Sequence, residues 1–259
     1  MVKPLLTIIT VSYNSEATIK ETLDSVKSQI NQNFEYIIVD GKSEDSTLKI
    51  VNKYDCVDLI ISEKDKGIYD GMNKGILNAN GDFIGFLNSD DLFASTHVTE
   101  NIINTIKEND TNLIYGDILF FKNDIRKVTR SWVSGQYIEG SFSSGWHPPH
   151  PAFYASRDLF LSSGGFNLDL KISADFELML RFFNISQKKP VYIKDNFVLM
   201  REGGASHINR KQGRADVLKA FELNDISIHK YLYLMQRYIP KFISRYIKYP
   251  FINLFTLKK

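Results

Sequence analysis

The stretch "GDFIGFLNSDD", residues 81–91, decides how the rest of the chain is interpreted. Phe83, Ile84 and Phe86 are apolar enough for a buried strand, yet the run ends on two adjacent carboxylates, Asp90 and Asp91. One interpretation is a simple turn, because Asn, Ser and Asp all favour turns. The other is a binding site at the end of a strand. The sequence on either side has to decide between them.

Upstream of this stretch, strand patterns alternate with helix patterns. We expect strands in "LLTIITVSY", "FEYIIVD", "VDLIIS" and "DFIGFLN", and helices in "NSEATIKETLDSVKSQ", "STLKIVNKY", "IYDGMNKGILNA" and "THVTENIINTIKEN". In the first helix Asn14 or Ser15 is the expected cap, and the apolar spacing predicts that Ile30 is buried. This alternation favours a mostly parallel, Rossmann-like α/β sheet flanked by helices.

The alternation stops near residue 110. "NLIYGDILFF", "IRKVTRSWV" and "PVYIKDNFVLM" are expected strands, "SADFELMLRFF" is an expected helix, and "SSGWHPPHPAFY" reads as a loop. We therefore expect one domain over residues 1–225, with halves at 1–110 and 111–225, and a helical, basic extension over 226–259.

Composition narrows the possible functions. The 259 residues carry a formal charge of only +2, which gives no indication of a nucleic-acid partner. Cys56 is the single cysteine, so an internal disulfide is impossible and a reducing, cytoplasmic location is expected. No apolar run reaches the ~18 residues of a membrane span, and the N-terminus reads as a strand rather than a signal peptide.

Polar residues follow three of the predicted strands: Tyr13-Asn14, Asp40-Gly41 and Asn88 to Asp91. Parallel strands end at the same edge of a sheet, where ligands of such folds bind. Carboxylate oxygens at that edge suit Mg²⁺ or Mn²⁺ shared with a substrate's phosphates. Neither a P-loop nor a G-x-G-x-x-G motif occurs, which disfavours those two kinds of nucleotide site.

The chain resembles the family 2 glycosyltransferases, which are inverting enzymes with the GT-A (nucleotide-diphospho-sugar transferase) fold. "TIITVSYN", "IIVDGKSEDST", "SEKDKGIYDGMNKGI", "GDFIGFLNSDD", "PHPAFY", "GGFN" and "ISADFELMLRF" match its signatures in order, over residues 4–205. Bacterial enzymes that build O-antigen, lipopolysaccharide and other surface polysaccharides are the most similar group. The resemblance implies a nucleotide-sugar donor, most simply UDP-linked, a glycan or lipid-linked acceptor, and a Mn²⁺ or Mg²⁺ cofactor.

The resemblance also implies roles for particular residues. Residues 1–110 would bind the nucleotide through Val11, Tyr13, Asp40, Lys66, Asp70 and Asp90, with Asp65 bordering it and Asp91 as the direct metal ligand. Two positions depart from the pattern, because many relatives carry Asp at Asn88 and Arg at Met72.

Residues 111–225 would supply the general base and bind the acceptor. By resemblance, Asp175 is the base. It is expected in the first turn of a helix capped by Ser173, where the positive helix end favours an ionised carboxylate. Glu177 is the nearest competitor for this role and an expected acceptor contact, unless it is simply a solvated helix residue that pairs with Arg181 four residues on.

Three other positions are less decided by the sequence. His150 is expected at the floor of the acceptor pocket, and Gly165 in a tight turn beside the donor sugar. His147 is undetermined, since prolines exclude a helical zinc pair with His150. His207 falls where some relatives contact the diphosphate or metal.

The extension carries seven cations and no acid after Asp225, interleaved with aromatic residues. Pro240 is an expected start of a second helix, and Pro250 its end. This segment would either rest on an anionic membrane surface, through Arg237, Lys241 and later cations, or pack on the catalytic lobe or a second subunit as a homodimer. Two rival functions are a sugar-phosphate nucleotidyltransferase and a non-catalytic nucleotide-binding α/β protein.

Overall fold

The computed structural model describes residues 3–203 and 209–243. Its first half is a parallel sheet in the order β3-β2-β1-β4, as the sequence predicts. The strands are β1 (Leu6–Ser12), β2 (Glu35–Asp40), β3 (Leu59–Ser62) and β4 (Phe83–Phe86), and the helices are α1 (Ile19–Lys27), α2 (Thr47–Val51), α3 (Ile68–Asn78) and α4 (Val98–Glu108).

The second half extends the same sheet. Its strands are β5 (Leu92–Phe93), β6 (Leu113–Phe121), β7 (Val128–Trp132), β8 (Phe153–Ser156) and β9 (Val191–Arg201), and its helices are α5 (Arg157–Ser163), α6 (Ala174–Ile185), α7 (Arg210–Leu223) and α8 (Lys230–Ile243). The antiparallel β8 joins β4 to β6, and the order continues through β9 to β5, with β7 on the side of β6. Both halves of the chain therefore contribute strands to one continuous sheet.

Apolar side chains cover both faces of the sheet. Successive strand residues point to opposite faces, so Ile8 packs with Leu23 and Ile102 of α1 and α4, whereas Ile9 packs with Ile76 of α3. Each fully buried residue of this kind contributes about 1.5–3 kcal/mol relative to exposure. This two-sided burial explains why the strands are nearly continuous apolar runs.

Several predicted boundaries are wrong. Helix α1 begins at Ile19 with Thr18 as its cap, because the chain first makes a turn in which Ser15 accepts the Thr18 and Ile19 N–H groups. Ile30 lies beyond the end of α1 and is 58% exposed. The predicted loop around residue 150 contains β8, and α5 and α7 were not predicted.

The extension is helical as expected, but α8 runs through Pro240 instead of ending there. A proline removes one helical N–H, which this helix accommodates. Tyr233 and Arg237 are buried: Tyr233 meets the Phe221 ring at 4.9 Å, and the Arg237 guanidinium lies 4.5 Å from the centre of the Phe176 ring. Over its described length, then, this helix packs on the catalytic lobe.

His207, Arg245, Lys248 and Pro250 lie outside the described residues. Within the residues that are described, no helix has both the length and the apolarity needed to cross a bilayer.

Candidate active site

The carboxyl ends of β1, β2 and β4 meet at one edge of the sheet. There, Ser15 and Ser89 hydroxyls lie 2.9 Å apart, and the Ser12 hydroxyl donates to Asp40 at 3.3 Å. Thr22 of α1 donates to the Asp91 carbonyl at 2.8 Å. The polar residues that follow three separate strands in the sequence are therefore neighbours in the fold.

Asp91 is buried in the wall of this edge, with 1% of its surface exposed. One carboxylate oxygen accepts the Arg201 backbone N–H at 2.9 Å, and the other accepts the Asn88 side-chain N–H at 2.8 Å. Burial, followed by the charge of Asp90, raises the pKa of Asp91 to about 7. Each oxygen of Asp91 thus already accepts one hydrogen bond from the protein, and the role of Asp91 as the direct metal ligand stays a prediction.

Asp90 is the more open of the two acids. It is half-buried, and its carboxylate accepts no hydrogen bond from any other residue in the described part of the chain. Burial raises its pKa as well. The charge of Arg201 acts on both acids, yet burial still raises both pKa values. Such a pair fits a cation, and Asp90 is the more accessible of the two.

No group of three or more acidic, histidine or cysteine side chains within residues 3–203 and 209–243 could enclose a metal ion. A cation bound by Asp90 would therefore need ligands from elsewhere. This suits Mg²⁺ and Mn²⁺, which are commonly held by one or two carboxylates together with substrate phosphates.

Asp40 is also fully buried, contrary to its expected role as a base or ribose contact. It accepts the Ser43 backbone N–H at 2.9 Å and the Ser62 hydroxyl at 2.8 Å, in addition to the Ser43 and Ser12 hydroxyls. Its carboxylate ties together the ends of β1, β2 and β3. No oxygen is left to reach a ligand.

A shallow recess lies beside Tyr13, whose ring is 63% exposed. A Cβ atom at Gly41 would lie 2.6 Å from Oδ2 of Asp65 and 3.4 Å from the Tyr13 ring, and one at Gly71 would lie 2.7 Å from Val11. The two glycines thus leave room for the Asp65 carboxylate at the edge of the ring. The sequence analysis expects Asp65 to border the nucleotide, and the structure places its carboxylate beside Gly41 and the Tyr13 ring.

The loop before α3 carries two exposed lysines, Lys64 and Lys66, and Lys66 is the one expected to contact the nucleotide. Lys66 is exposed, and its ammonium group forms no ion pair with a described residue. Its backbone N–H donates to Asp70 at 2.9 Å, and the Gly67 N–H donates to Asp65 at 2.9 Å. Asp70, expected to bind the nucleotide, is therefore engaged in shaping this loop, and it also lies 3.9 Å from the Lys74 ammonium group.

Asp175 is half-buried in the first turn of α6, as predicted. Its Oδ1 accepts the Phe176 N–H at 2.8 Å and lies 3.3 Å from the Tyr69 hydroxyl. Oδ2 has no hydrogen-bond partner among the described residues. The predicted Ser173 cap is not formed, because the Ser173 hydroxyl donates to the Gly213 carbonyl instead. Among the described residues, then, the protein holds one oxygen of the Asp175 carboxylate in place and leaves the other without a hydrogen-bond partner.

Aromatic packing connects Asp175 to the edge that carries Asp90. Tyr69 stacks on Phe166 with ring centres 5.3 Å apart, and Phe166 meets Phe86, the last residue of β4, edge-on at 5.3 Å. Because Tyr69 also contacts Asp175, the start of α6 is held against the end of β4. Asp175 is thereby tied to the carboxyl end of β4, the strand that Asp90 follows.

His150 is buried between the Phe86 and Phe166 rings, at 5.4 and 5.5 Å. Burial lowers its pKa, while the charge of Asp175 opposes that shift. Its Nε2 has no hydrogen-bond partner in the described residues. His147 packs edge-on against Trp132 at 4.8 Å.

Two side chains, Asn73 and Arg181, hold the turn at Gly164 and Gly165 in place. A Cβ atom at Gly165 would lie 2.1 Å from the Asn73 side-chain oxygen, and Arg181 donates to both glycine carbonyls at 2.8 and 2.7 Å. Glu177 is 3% exposed and pairs with Arg181 at 2.9 Å. The alternative pairing of Glu177 with Arg181 is therefore formed, and through Arg181 its carboxylate helps to hold this turn, while its acceptor contact stays a prediction.

Two clefts on the surface do not coincide with these residues. One, of about 820 Å³, lies between α7 and the start of α8, and the other, of about 480 Å³, lies beside the end of α6. Neither contains the acids described above. Sequence reasoning also missed Tyr69 and Arg201. A backbone N–H such as that of Arg201 leaves no signal in the sequence, whereas Tyr69 was quoted only as part of a motif.

The sequence model of the family described as glycosyl transferase family 2 matches residues 7–161 of the chain, from β1 into α5. The chain belongs to this family. The resemblance drawn from its motifs is confirmed, and the protein is a glycosyltransferase.

Individual proteins agree with this assignment. A PGL/p-HBAD biosynthesis glycosyltransferase of Mycobacterium tuberculosis is 30% identical over 189 residues, covering 71% of this chain and 72% of the relative.

Two solved structures share the fold. Staphylococcus aureus TarS in complex with UDP-GlcNAc is 18% identical, with a TM-score of 0.69, and the match covers 98% of this chain and 75% of the TarS chain. A Pyrobaculum calidifontis mannosyltransferase in complex with GDP-Man and Mn²⁺ is 18% identical, with a TM-score of 0.66 over 92% and 70%. These likenesses confirm the predicted GT-A fold.

Proposed function

We propose that this family 2 glycosyltransferase is inverting and metal-dependent, and that it moves a sugar from a nucleotide-sugar to a hydroxyl of a glycan acceptor. One observation carries the proposal: Tyr69 and its ring contacts tie Asp175, at the start of α6, to the end of β4, the strand that leads into the open carboxylate of Asp90. A single displacement needs the base and the leaving group on opposite faces of the sugar, and two segments can provide that.

The nucleobase would stack on the exposed Tyr13 ring, over the floor made by Val11, Gly41 and Gly71. Asp65, in place of Asp40, would accept a hydrogen bond from the base. A carboxylate acceptor suits the imide N–H of uracil, so we favour a UDP-linked donor. TarS was solved with UDP-GlcNAc, and the mannosyltransferase with GDP-Man.

Lys66 would contact the diphosphate, since its exposed ammonium group is not paired with a described residue. Asp90 would hold Mn²⁺ or Mg²⁺. The buried Asp91 would keep the loop after β4 in position. When bound, the cation neutralises charge on the leaving diphosphate. The mannosyltransferase of the same fold was solved with Mn²⁺.

Asp175 would take the acceptor proton on Oδ2. The positive end of α6 stabilises its negative charge. The buried His150 would lie beside the acceptor, and the turn at Gly165 would lie beside the donor sugar.

The decisive experiment is Asp175→Asn. We expect the variant to bind UDP in the presence of Mn²⁺ with unchanged affinity in calorimetry, and to lose transfer by at least a thousandfold. Normal transfer by the variant would contradict the assignment of the base. A screen of nucleotide-sugars would separate the rivals: a nucleotidyltransferase would release diphosphate from a nucleoside triphosphate, and a non-catalytic protein would turn over no donor.

We further propose a lipid-linked acceptor reached from the membrane surface, with α8 as the peripheral contact. Tyr231, Leu232 and Met235 are more than half exposed on this helix, and the chain that follows it is basic. An exposed apolar face beside cations fits an anionic bilayer.

The membrane contact can be tested by sedimenting the full chain with vesicles of anionic phospholipid. We expect Leu232→Glu to reduce pelleting, and the matched control Leu77→Glu, on the exposed surface of α3, to leave it unchanged. Equal pelleting of both variants and the parent would contradict the contact. A concentration-dependent mass change lost in Leu232→Glu would show that this face joins two copies instead.

A further inference from the structure

Tyr69 connects the donor side of the site to the proposed base. It is the second residue of α3, immediately after the loop that carries Asp65 and Lys66. Its ring stacks on Phe166, and its hydroxyl lies 2.8 Å from the Ile172 carbonyl and 3.3 Å from Oδ1 of Asp175. No other described side chain hydrogen-bonds to the Asp175 carboxylate.

The Tyr69 hydroxyl keeps its proton under all working conditions. Burial, and then the charge of Asp175, raise its pKa well above the usual range. A phenol has one proton, and here two acceptors face it. The shorter contact is to Ile172, the residue three positions before Asp175, so the hydroxyl both anchors the chain entering α6 and faces Oδ1.

We propose that Tyr69 is a positioning residue for the base. Together with the Phe176 N–H, its hydroxyl holds Oδ1 of Asp175, which leaves Oδ2 directed at the acceptor hydroxyl. In the reaction, the acceptor proton passes to Oδ2 while the acceptor oxygen bonds to the sugar carbon and the bond to the diphosphate breaks. Tyr69 itself exchanges no proton.

This inference rests on the proposed role of Asp175. Since α3 begins beside the donor recess, Tyr69 also explains how one helix contributes to both donor binding and base orientation. Titratable groups from three elements contact the start of α6 or feel the charge of Asp175: His150 before β8, whose pKa that charge affects, Asp216 of α7, which accepts the Ile172 and Ser173 N–H groups, and Arg237 of α8, which lies over the Phe176 ring.

The test is Tyr69→Phe, which keeps the ring and its stacking and removes only the hydroxyl. With saturating Mn²⁺, we expect kcat to fall about tenfold and the Kd for UDP to stay unchanged, because a hydrogen bond to a charged group typically contributes about that factor. A carboxylate that loses a donor is protonated at higher pH, so the acidic limb of the kcat–pH profile should move upward by about half to one unit.

Tyr54→Phe is the matched control. The Tyr54 hydroxyl also donates to an aspartate, Asp24 at 2.6 Å, but on the exposed side of α1. We expect wild-type kcat and an unchanged pH profile from this variant. A second probe is 3-fluorotyrosine at position 69, which keeps the shape of the side chain and strengthens the donor, so the acidic limb should move to lower pH.

The outcomes separate this inference from the proposed function. If Asp175→Asn abolishes transfer and Tyr69→Phe has the wild-type kcat and pH limb, the positioning role is wrong and the base assignment stands. A lower kcat with an unmoved limb and a reduced Tm would show a purely structural role, and would also overturn the inference. Normal transfer by Asp175→Asn would refute the base itself, and the positioning role with it.

Discussion

Asp90 and Asp91 show how two adjacent residues of one type acquire different tasks. The turn after β4 directs Asp91 inward, where the Arg201 N–H and Asn88 meet it, and leaves Asp90 at the open edge. The Asp usually found at position 88 would face a buried carboxylate here, whereas Asn88 donates a hydrogen bond to it. Asn88, which departs from the family pattern, is therefore matched by the buried Asp91 carboxylate that accepts its hydrogen bond.

This difference predicts distinct effects of removing each charge. Asp90→Asn should lose the Mn²⁺ dependence of UDP binding and lower affinity at least tenfold, with Tm unchanged, because its carboxylate holds no described residue in place. Asp91→Asn should lower Tm while retaining some Mn²⁺-dependent binding. Calorimetry with and without Mn²⁺, together with thermal melts, distinguishes the two. Loss of Mn²⁺ dependence in Asp91→Asn alone would reverse the assignment.

The raised pKa of Asp91 has a consequence for stability without metal. A carboxyl that is ionised less readily when folded than when unfolded stabilises the fold at low pH, and that contribution is lost as pH rises from about 4 through the folded pKa of about 7. The slope is at most about 1.4 kcal/mol per pH unit. Urea titrations of metal-free protein at pH 5 and 8 should show this loss, and Asp91→Asn should flatten it. An equal slope in both proteins would place the titration elsewhere.

Gly41 tests the donor recess. Its φ angle lies outside the left-handed region, so Gly41→Ala is tolerated by the backbone, but the new methyl group would press on Oδ2 of Asp65. The carboxylate would have to move away from the Tyr13 ring. We expect UDP affinity to fall about tenfold with little change in Tm. Unchanged affinity in Gly41→Ala, and in Asp65→Asn, would show that Asp65 does not contact the base.

The sequence could predict that acids gather at this edge, but not which way each one points. The strand and helix pattern fixes where Asp40, Asp90 and Asp91 lie along the chain, because periodicity is a local property. Their orientation depends on partners far away in sequence, such as Ser62 for Asp40 and Arg201 for Asp91. Those partners are brought close only by the fold, and the same is true of Asp65 beside Gly41.

At the scale of elements, strongly periodic segments were predicted well and interrupted ones poorly. The strands β1 to β4 and the helices α3 and α4 lie where their apolar patterns indicate. The strand β8 was missed because prolines and glycines dominate the residues before it, although its own sequence, "FYAS", is buried between β4 and β6. Here tertiary pairing overrides the local signal.

Helix α6 carries Asp175, the proposed base, in its first turn, and the Glu177–Arg181 ion pair follows. Glu177 pairs with Arg181, which in turn holds the Gly164–Gly165 turn. Leaving one partner of a buried pair alone costs about 3 kcal/mol or more, so Glu177→Gln should lower Tm by several degrees. UDP binding should be unaffected.

Lys20→Gln, which breaks the exposed Lys20–Asp24 pair of the same spacing, is the control and should leave Tm nearly unchanged. A Glu177→Gln variant with normal Tm and a raised KM for acceptor alone would restore the acceptor contact that the sequence suggested.

At the scale of the whole molecule, the single sheet and α8 make the C-terminal helix part of the catalytic lobe. The Arg237 backbone lies so close to Gly145 that a Cβ there would be 2.8 Å from it, and Gly145 also has a positive φ of 92°. The Arg237 side chain in turn covers Phe176, the neighbour of Asp175. The start of this basic segment is therefore tied, through Phe176, to the turn of α6 that carries Asp175.

This arrangement predicts unequal effects of two truncations. A chain of residues 1–229 loses the burial of Tyr233 and Arg237, so it should melt several degrees lower and transfer at least tenfold more slowly, even to a water-soluble acceptor, because the start of α6 is no longer covered. A chain of residues 1–243 keeps every described contact of α8. It should match the full chain in Tm and in transfer to the soluble acceptor, and any defect should appear only with acceptor embedded in vesicles. If residues 1–229 transfer as fast as the full chain, α8 does not support the base. If residues 1–243 melt as low as residues 1–229, the stabilising contacts lie beyond Ile243 rather than at Tyr233 and Arg237.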